Sequence, residues 1–303
     1  MTAASTSAPP VVPARGRRPR TVGRWFRQTG WRHLVGVVMV VFAAFPLLYV
    51  LSASLRPGGT LMTANAPFST IDPANYIRLF QLPQQPYAAW FANTLVIGLT
   101  TAVASVFLGA LAAYSFSRMR FAGRRIGLLS LLLVQMFPQL LAMVAIFLLL
   151  NGIGDVFPAL GLDSQVGLIM VYLGGALGVN TYLMYGFFNT VPVSIDEAAK
   201  LDGAGHARIF FTIILRLVAP ILAVVALLSF IGTTNEFVIA STVLISPEKQ
   251  TLAVGLYQFV SQQFSENYGL FAAGAVLAAL PVMALFLFLQ KYIVGGLTAG
   301  SVK

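Results

Sequence analysis

The residues best suited to chemistry are three carboxylates that lie close together in an otherwise apolar chain. Asp196, Glu197 and Asp202 belong to the segment SIDEAAKLDGAG, residues 194–205, and the whole protein has only nine acidic residues. Acidic side chains in the first turn of a helix interact favourably with the partial positive charge of its N-terminus. The segment therefore predicts a short helix with acidic residues near its start.

Several other kinds of chemistry are missing from the sequence. A phosphate-binding P-loop needs Gly before its lysine, whereas the four lysines follow Ala199, Glu248, Gln290 and Val302. The chain has no cysteine and two histidines, which excludes thiolate chemistry and a histidine-rich metal site. The motifs HExxH, GxSxG and GxGxxG do not occur either. The sequence predicts no catalytic residue, no metal site and no cofactor held by this chain.

Six apolar stretches without a charged residue dominate the rest of the sequence. Hydrophobic residues make up 58% of the chain, and the mean hydropathy is +0.83. A helix of about 20 mostly apolar residues crosses a membrane and satisfies its own backbone hydrogen bonds in lipid. The sequence therefore predicts an all-α membrane protein with six transmembrane helices. They cover about residues 34–55, 91–117, 126–150, 166–188, 217–235 and 269–289.

The basic residues indicate how these helices cross the membrane. Sixteen of the 19 lie in the N-terminal segment, after the second helix, after the fourth helix and after the sixth. Arg56, Arg78 and Lys249 lie on the opposite side. Because positively charged loops stay in the cytoplasm, both termini are predicted to be cytoplasmic. The net charge of +10 thus reflects topology and attraction to anionic lipid rather than nucleic-acid binding.

The chain divides into a tail, a helical domain and a second tail. Residues 1–30 are predicted to be a disordered basic cytoplasmic tail. Its end, within residues 21–33, interleaves Arg with aromatic residues and is typical of an interfacial anchor. Residues 31–293 hold the six helices, with the acidic segment in the cytoplasmic loop 191–216. Residues 294–303 form a C-terminal cytoplasmic tail.

Local rules predict how the loop that carries the acidic segment folds. Ser194 followed by Glu197 fits a capping box, and Gly203 supplies the free backbone conformation that ends a helix. Ala198 and Ala199 leave a low surface that another protein can approach closely. A second, amphipathic helix follows, and its apolar face consists of Ile209, Phe210, Ile213, Ile214 and Leu217.

Small residues recur at every fourth position inside two of the predicted spans. Ser105, Gly109 and Ala113 share one face of the second span, and Gly174 and Gly178 share one face of the fourth. Such faces let helices approach closely. The pattern predicts packing within the chain, with contact to a second membrane subunit as the alternative.

A solute pathway has one candidate pair of residues. Asn235 and Glu236 follow the fifth span, near the predicted outer surface, and no charged residue lies inside any span. Because polar and ionisable groups in membrane proteins often mark a pathway, these two residues are the predicted pathway contacts, with a surface role as the alternative.

The spacing of the acidic loop resembles the EAA loop of ATP-binding-cassette (ABC) importer permeases. The motif has EAA, three residues, Gly, nine residues, a hydrophobic residue, one further residue, and Leu-Pro. In this sequence Glu197, Ala198 and Ala199 precede Gly203, and Ile213-Ile214-Leu215 follows nine residues later. Arg216 stands where the family usually has Pro, so the motif gives no prediction of the bend into the fifth span.

Three further segments resemble carbohydrate permeases of this group. They are residues 113–125, 237–259 and 294–303, and the last two are similar to the smaller membrane subunit of maltose/maltodextrin importers. The resemblance implies an ABC importer type I permease fold and a role in importing an oligosaccharide, with trehalose or a glycerol phosphate-type solute as alternatives. An ion-coupled sugar carrier is less favoured because the spans hold no charge.

The resemblance also implies the partners and their contacts. A second homologous permease subunit, two copies of a cytoplasmic ABC ATPase and an extracytoplasmic sugar-binding protein are expected, with ATP and Mg held by the ATPases. The implied location is the bacterial inner membrane. The ATPase-coupling residues are Glu197, Ala198, Ala199, Asp202 and Gly203. The tail residues implied to contact the ATPases are Leu297, Thr298, Ala299, Gly300, Ser301, Val302 and Lys303. The residues implied to contact the binding protein are Gln262, Gln263 and Phe264.

Overall fold

The computed structural model describes residues 26–58, 68–261 and 267–299, and these residues form helices and turns without a β-strand. The chain divides into two compact units, residues 1–49 and 50–303. A π-helical turn, Phe26–Gly30, leads into the first long helix. The all-helical class predicted from the sequence is confirmed for the part of the chain described.

The helices are numbered in chain order. They are α1 (Trp31–Ser54), α2 (Ala74–Leu79), α3 (Tyr87–Arg118), α4 (Arg124–Gln135), α5 (Gln139–Val156), α6 (Gln165–Phe188), α7 (Val193–Leu201), α8 (His206–Leu217), α9 (Ala219–Asn235), α10 (Val238–Val243), α11 (Leu252–Ser261) and α12 (Tyr268–Ala299). Of these, α1, α3, α6 and α12 are long and apolar enough to cross a membrane, and the bent pair α8–α9 passes the same test together.

The centre of the second unit is the packing of α3 against α6 and α9. Glycines permit this close approach, because a Cβ at Gly98 would meet Phe230 of α9 and a Cβ at Gly109 would meet Met184 of α6. Small residues thus serve packing within the chain at these positions. Of the predicted pair in the fourth span, Gly178 lies against α4, whereas a Cβ at Gly174 would meet nothing within 4 Å.

The predicted third span, residues 126–150, is not one continuous helix. It is divided into α4 and α5 by a turn that contains Met136, Phe137 and Pro138. Proline lacks an N–H and disfavours the helical conformation of the residue before it, so the break falls where Pro138 occurs. Uniform hydropathy across the stretch concealed this interruption.

The predicted fifth span is entered through a sharp bend. Helices α8 and α9 meet at 79°, with Val218 between them and Pro220 in the first turn of α9. The bend therefore exists although Arg216 replaces the usual proline. The predicted apolar face of α8 is confirmed for the buried Ile209, Phe210 and Ile214, and Ile213 packs against the same cluster. Leu217, the last residue of α8, is exposed.

The last helix is longer than the sequence predicted. Helix α12 continues to Ala299, so residues 290–299, which were assigned partly to a separate tail, extend the span 269–289 without a break. Hydropathy marks only the apolar part of a helix, and polar residues such as Gln290 and Lys291 are good helix formers.

Candidate functional site

Helix α7, which carries the acidic segment, begins after Pro192 without a side-chain cap. The predicted capping box is therefore wrong. Ser194 lies inside the helix, because Pro192 occupies the N-cap position and Val193 is the first helical residue. Glu197 is exposed, so the capping box does not occupy its carboxylate.

The other end of α7 behaves as predicted. Gly203 has φ +81°, which is the left-handed conformation that favours glycine. The Gly203 N–H donates to the Lys200 carbonyl at 3.0 Å, and the Ala204 N–H donates to the Ala199 carbonyl at 2.9 Å. These two bonds form a Schellman motif that ends the helix. The turn fixes where the exposed tip of the loop lies.

One of the three carboxylates is not on the surface. Asp196 is 3% exposed, and its Oδ2 lies 2.8 Å from Nε of Arg118, the last residue of α3. Nη2 of Arg118 also donates to the Val191 carbonyl at 2.8 Å. Sequence reasoning missed this pair, since 78 positions separate the two residues and nothing local joins them.

The two alanines of the motif face different surroundings. Ala199 is buried against a cluster that includes Tyr114 and Phe210, whereas Ala198 is exposed. The low outer surface predicted for both alanines is thus confined to Ala198. Leu201, at the end of α7, is 90% exposed, so a large apolar side chain lies on the surface beside the turn at Gly203.

The predicted pathway pair separates in the structure. Glu236 accepts a hydrogen bond from the Tyr172 hydroxyl at 2.7 Å and from the backbone N–H groups of Ile239 and Ala240 at 2.8 and 2.9 Å. Its carboxylate therefore caps α10. Asn235 instead lines a separate cavity of about 590 Å³ between α9, α11 and α12.

Glu236 borders an open cavity of about 350 Å³ between α4, α6 and α9. Hydroxyl, amide and carboxylate groups share this cavity with apolar residues. Its polar side chains are Gln135, Tyr172, Asn180, Ser229, Thr233 and Glu236. The Gln135 amide also donates to the Gly175 carbonyl, which fixes the end of α4 against α6.

Part of this polar lining continues into the helix packing. The Asn180 amide donates to the Ser105 hydroxyl at 2.6 Å and to the Ser229 hydroxyl at 2.9 Å, and all three side chains are buried. A cluster of polar groups at one depth was not predicted from the sequence. The available signal was Asn180 itself, an amide in an otherwise apolar span, since buried polar groups require partners.

A second ion pair lies in the loops at the opposite end of α6. Asp163, with φ +57°, accepts from Nζ of Lys249 at 2.9 Å and from the Ser246 hydroxyl at 2.6 Å. Backbone N–H groups of Ile245 and Ser246 also donate to it. Partial burial opposes ionisation, but these hydrogen bonds outweigh it and lower the pKa of Asp163 to about 2.

The predicted contacts to the binding protein and the C-terminal contacts to the ATPases involve residues near or beyond the ends of the described segments. Gln262, Gln263 and Phe264 lie outside the described residues, as do Gly300–Lys303. Leu297, Thr298 and Ala299 belong to α12. Their predicted contacts stay predictions.

Comparison with known proteins gives consistent matches. Residues 105–298 match the family described as "Binding-protein-dependent transport system inner membrane component". The maltodextrin transport system permease protein MdxG of Bacillus subtilis is 43% identical over 89% of this chain and 95% of its own. The galactooligosaccharides transport system permease protein GanQ of the same organism is 41% identical, with 89% and 94% covered.

A more distant relative and two solved structures extend the comparison. The maltose/maltodextrin permease protein MalG of Photorhabdus laumondii is 39% identical over 90% of this chain and 96% of its own. A chain of a bacterial ABC transporter involved in alginate import is 26% identical, with a TM-score of 0.72 over 89% of this chain and 98% of that chain. A chain of an alginate ABC transporter in complex with a periplasmic protein is 15% identical, with a TM-score of 0.63 over 89% and 94%, and supports the fold alone.

Proposed function

The chain belongs to the family of binding-protein-dependent transport system inner membrane components, and on that premise we propose that it imports maltodextrin-type oligosaccharides. Two of the relatives are named for maltose or maltodextrin transport. The observation that carries the proposal is helix α7, exposed along Glu197, Ala198 and Leu201 and ended by the turn at Gly203. The chain itself is a transport subunit and hydrolyses nothing.

ATP hydrolysis by the partner subunits is coupled to transport through α7. Two copies of a cytoplasmic ATPase bind ATP and Mg, and one of them holds α7 in a cleft. The Leu201 side chain, 90% exposed, provides apolar contact area, while Glu197 and Asp202 supply the charge that orients the contact. An exposed ion pair contributes only about 0–1 kcal/mol, so packing of Ala198 and Leu201 carries most of the binding. The C-terminal residues 297–303 reach the same ATPases.

The membrane topology that suits this role has six spans with both termini in the cytoplasm. The four long helices α1, α3, α6 and α12 and the bent pair α8–α9 are long and apolar enough for five of these crossings. In the proposed topology, the broken pair α4–α5 is the sixth. Breaks and bends are tolerated in membrane helices when neighbouring groups satisfy the freed backbone.

The cavity beside Glu236 is this chain's half of the translocation pathway. Its mixture of amide, hydroxyl and carboxylate groups suits the hydroxyls of a sugar, which both donate and accept hydrogen bonds. A second permease subunit covers the open side. Asn235, in the neighbouring cavity, is a weaker candidate contact. An extracytoplasmic sugar-binding protein delivers the substrate near Gln262, Gln263 and Phe264.

Reconstitution in vesicles tests the proposal. The chain, its permease partner, the ATPase and the binding protein are expected to accumulate radiolabelled maltodextrin only when ATP is present. A parallel measurement with galactooligosaccharide assigns the sugar. Uptake driven by an ion gradient without ATP would overturn the importer assignment.

Two glycines offer a matched test of the α7 turn. A Cβ at Gly203 or at Gly205 would meet nothing within 4 Å, but φ is +81° at Gly203 and −73° at Gly205. Gly203→Val therefore strains the turn and should abolish ATP-dependent uptake, whereas Glu197→Lys reverses one exposed charge and should reduce uptake to a smaller extent. Gly205→Val should retain uptake, and equal loss in both glycine variants would argue against a role for the turn.

A further inference from the structure

Helix α3 is tied to other segments at both of its ends. It runs without proline from Tyr87 to Arg118, 32 residues, and measures roughly 48 Å at 1.5 Å per residue. By contrast, α1 contains Pro46 and α12 contains Pro281. Helix α3 is therefore long enough to cross a membrane and lacks the usual cause of a kink.

The inner end of α3 holds α7. The guanidinium of Arg118 contacts the Asp196 carboxylate and the Val191 carbonyl, each at 2.8 Å. These partners lie on both sides of the point where α7 begins. Both charged side chains are nearly buried, at 6% and 5% exposure. A planar guanidinium that grips two groups restricts rotation as well as distance, so α7 is fixed in orientation relative to α3.

Three side chains at the other end of α3 hold one segment, residues 247–252. The Trp90 indole N–H donates to the Pro247 carbonyl at 2.7 Å. The Asn93 amide donates to the carbonyls of Glu248 and Gln250 at 2.8 and 3.0 Å. The Thr94 hydroxyl accepts from the Leu252 N–H at 2.7 Å.

The contact between α3 and residues 247–252 is also closely packed. Trp90 is fully buried, and the absence of a side chain at Gly255 lets α11 lie directly against the indole ring. Trp90 and Phe259 also make an edge-to-face contact with ring centroids 6.1 Å apart. The segment 247–252 and the start of α11 are therefore attached to α3 by both hydrogen bonds and packing.

We propose that α3 is a rigid link that makes α7 and the segment 247–252 move together, with Arg118 and Asp196 as its inner positioning residues. The inference rests on the proposed function, in which α7 contacts the ATPase and the binding protein docks at the opposite membrane face. Loading of the binding protein is then communicated to the ATPase through one helix.

A double substitution tests the inner end. Arg118→Ala with Asp196→Ala removes the link without leaving an unpaired buried charge. In assembled complexes, the stimulation of ATPase activity by maltodextrin-loaded binding protein should fall roughly tenfold, the scale of a coupling between two sites. Arg120→Ala, at an exposed arginine two residues further on, should leave the stimulation ratio unchanged. An unchanged ratio in the double variant would overturn the link.

A matched pair of threonines tests the outer end. Thr94→Val removes the hydroxyl that accepts from Leu252, and it should reduce the same ratio several-fold. Thr101 is also buried on α3, but its hydroxyl has no hydrogen-bond partner among the described residues. Thr101→Val should therefore leave the stimulation ratio unchanged. Equal changes of this ratio in the two variants would contradict the proposal.

A distance measurement keeps the test independent of activity. The chain has no cysteine, so Met119→Cys and Ser194→Cys place spin labels at two exposed positions, just after α3 and on α7. The distance between the labels should stay the same with and without ATP and Mg, and a change would overturn the rigid link. If unmodified complexes show no stimulation by the binding protein, the proposed function fails, whereas coupled complexes with a changing distance refute only the link.

Discussion

Two ion pairs, one near each end of the helical bundle, have almost the same length and opposite surroundings. Arg118 Nε lies 2.8 Å from Asp196, with side chains 6% and 5% exposed, and Lys249 Nζ lies 2.9 Å from Asp163, with side chains 46% and 23% exposed. The distances alone give no reason to expect different effects. The difference in burial does predict different effects, because water screens the exposed pair Lys249–Asp163 and is excluded from the buried pair Arg118–Asp196.

The comparison teaches that the two aspartates are held differently. Among the described residues, Arg118 is the charged partner of Asp196 and no further hydrogen bond to its carboxylate is present, so removal of Arg118 leaves a buried charge. Asp163 accepts from two backbone N–H groups and the Ser246 hydroxyl in addition to Lys249. The loss of Lys249 therefore leaves Asp163 stabilised, whereas the loss of Asp163 leaves several donors without an acceptor.

The largest expected effect is a single substitution in the buried pair. Arg118→Met should lower the free energy of unfolding by about 3–5 kcal/mol, because Asp196 stays buried without its counter-charge. Unfolding in detergent by denaturant measures this. Adding Asp196→Leu should recover most of the loss, since an apolar pair needs no counter-charge. A loss below about 1 kcal/mol for Arg118→Met alone would show that water reaches Asp196.

The next largest effect is expected at Asp163. Asp163→Asn should cost about 2 kcal/mol, because the amide accepts hydrogen bonds less strongly and its NH₂ faces the donors of Ser246 and Lys249. The same unfolding assay measures it. Asp155→Asn is a suitable control, since Asp155 is an exposed acidic residue near the end of α5. Equal losses in both variants would contradict the specific role of the Asp163 contacts.

Lowering the pH should reduce the contribution of Asp163 to the free energy of unfolding, and this effect is smaller and gradual. The pKa of Asp163 is lowered from 3.8 to about 2, so its contribution to stability is complete well above pH 3.8 and is lost as the pH falls toward 2. The difference in unfolding free energy between the native chain and Asp163→Asn should be constant above about pH 5. It should shrink below that, and a difference that persists at pH 2 would refute the assignment.

The smallest effect is expected for the lysine of the exposed pair. Lys249→Met should cost at most about 1 kcal/mol at low salt and less at high salt, because exposed charges are screened. Comparing unfolding at two salt concentrations measures this. A salt-independent loss larger than that of Asp163→Asn would reverse the ranking of the two partners.

The sequence predicted features that depend on near neighbours. The short helix at the acidic segment, its end at Gly203 and the apolar face that begins at Ile209 are set by local propensity and periodicity. Hydropathy located most of the long helices, because an apolar stretch and a membrane-crossing helix have the same length requirement.

Features that depend on distant contacts were not predicted. Burial of Asp196 depends on Arg118, and the polar cluster of Asn180 depends on Ser105 and Ser229 from two other helices. The break at Pro138 and the absent cap at Ser194 were missed for another reason, since each requires a choice between competing local rules that hydropathy does not rank.

The hydrogen bonds between α3 and residues 247–252 affect which substitutions this segment can accept during evolution. Trp90, Asn93 and Thr94 contact the carbonyls of Pro247, Glu248 and Gln250 and the N–H of Leu252, which are backbone groups that nearly every amino acid possesses. The exposed side chains of Glu248 and Lys249 can therefore change by mutation while the attachment persists, whereas Leu252 is buried in the core. A new binding surface can therefore evolve on this segment without changes in α3.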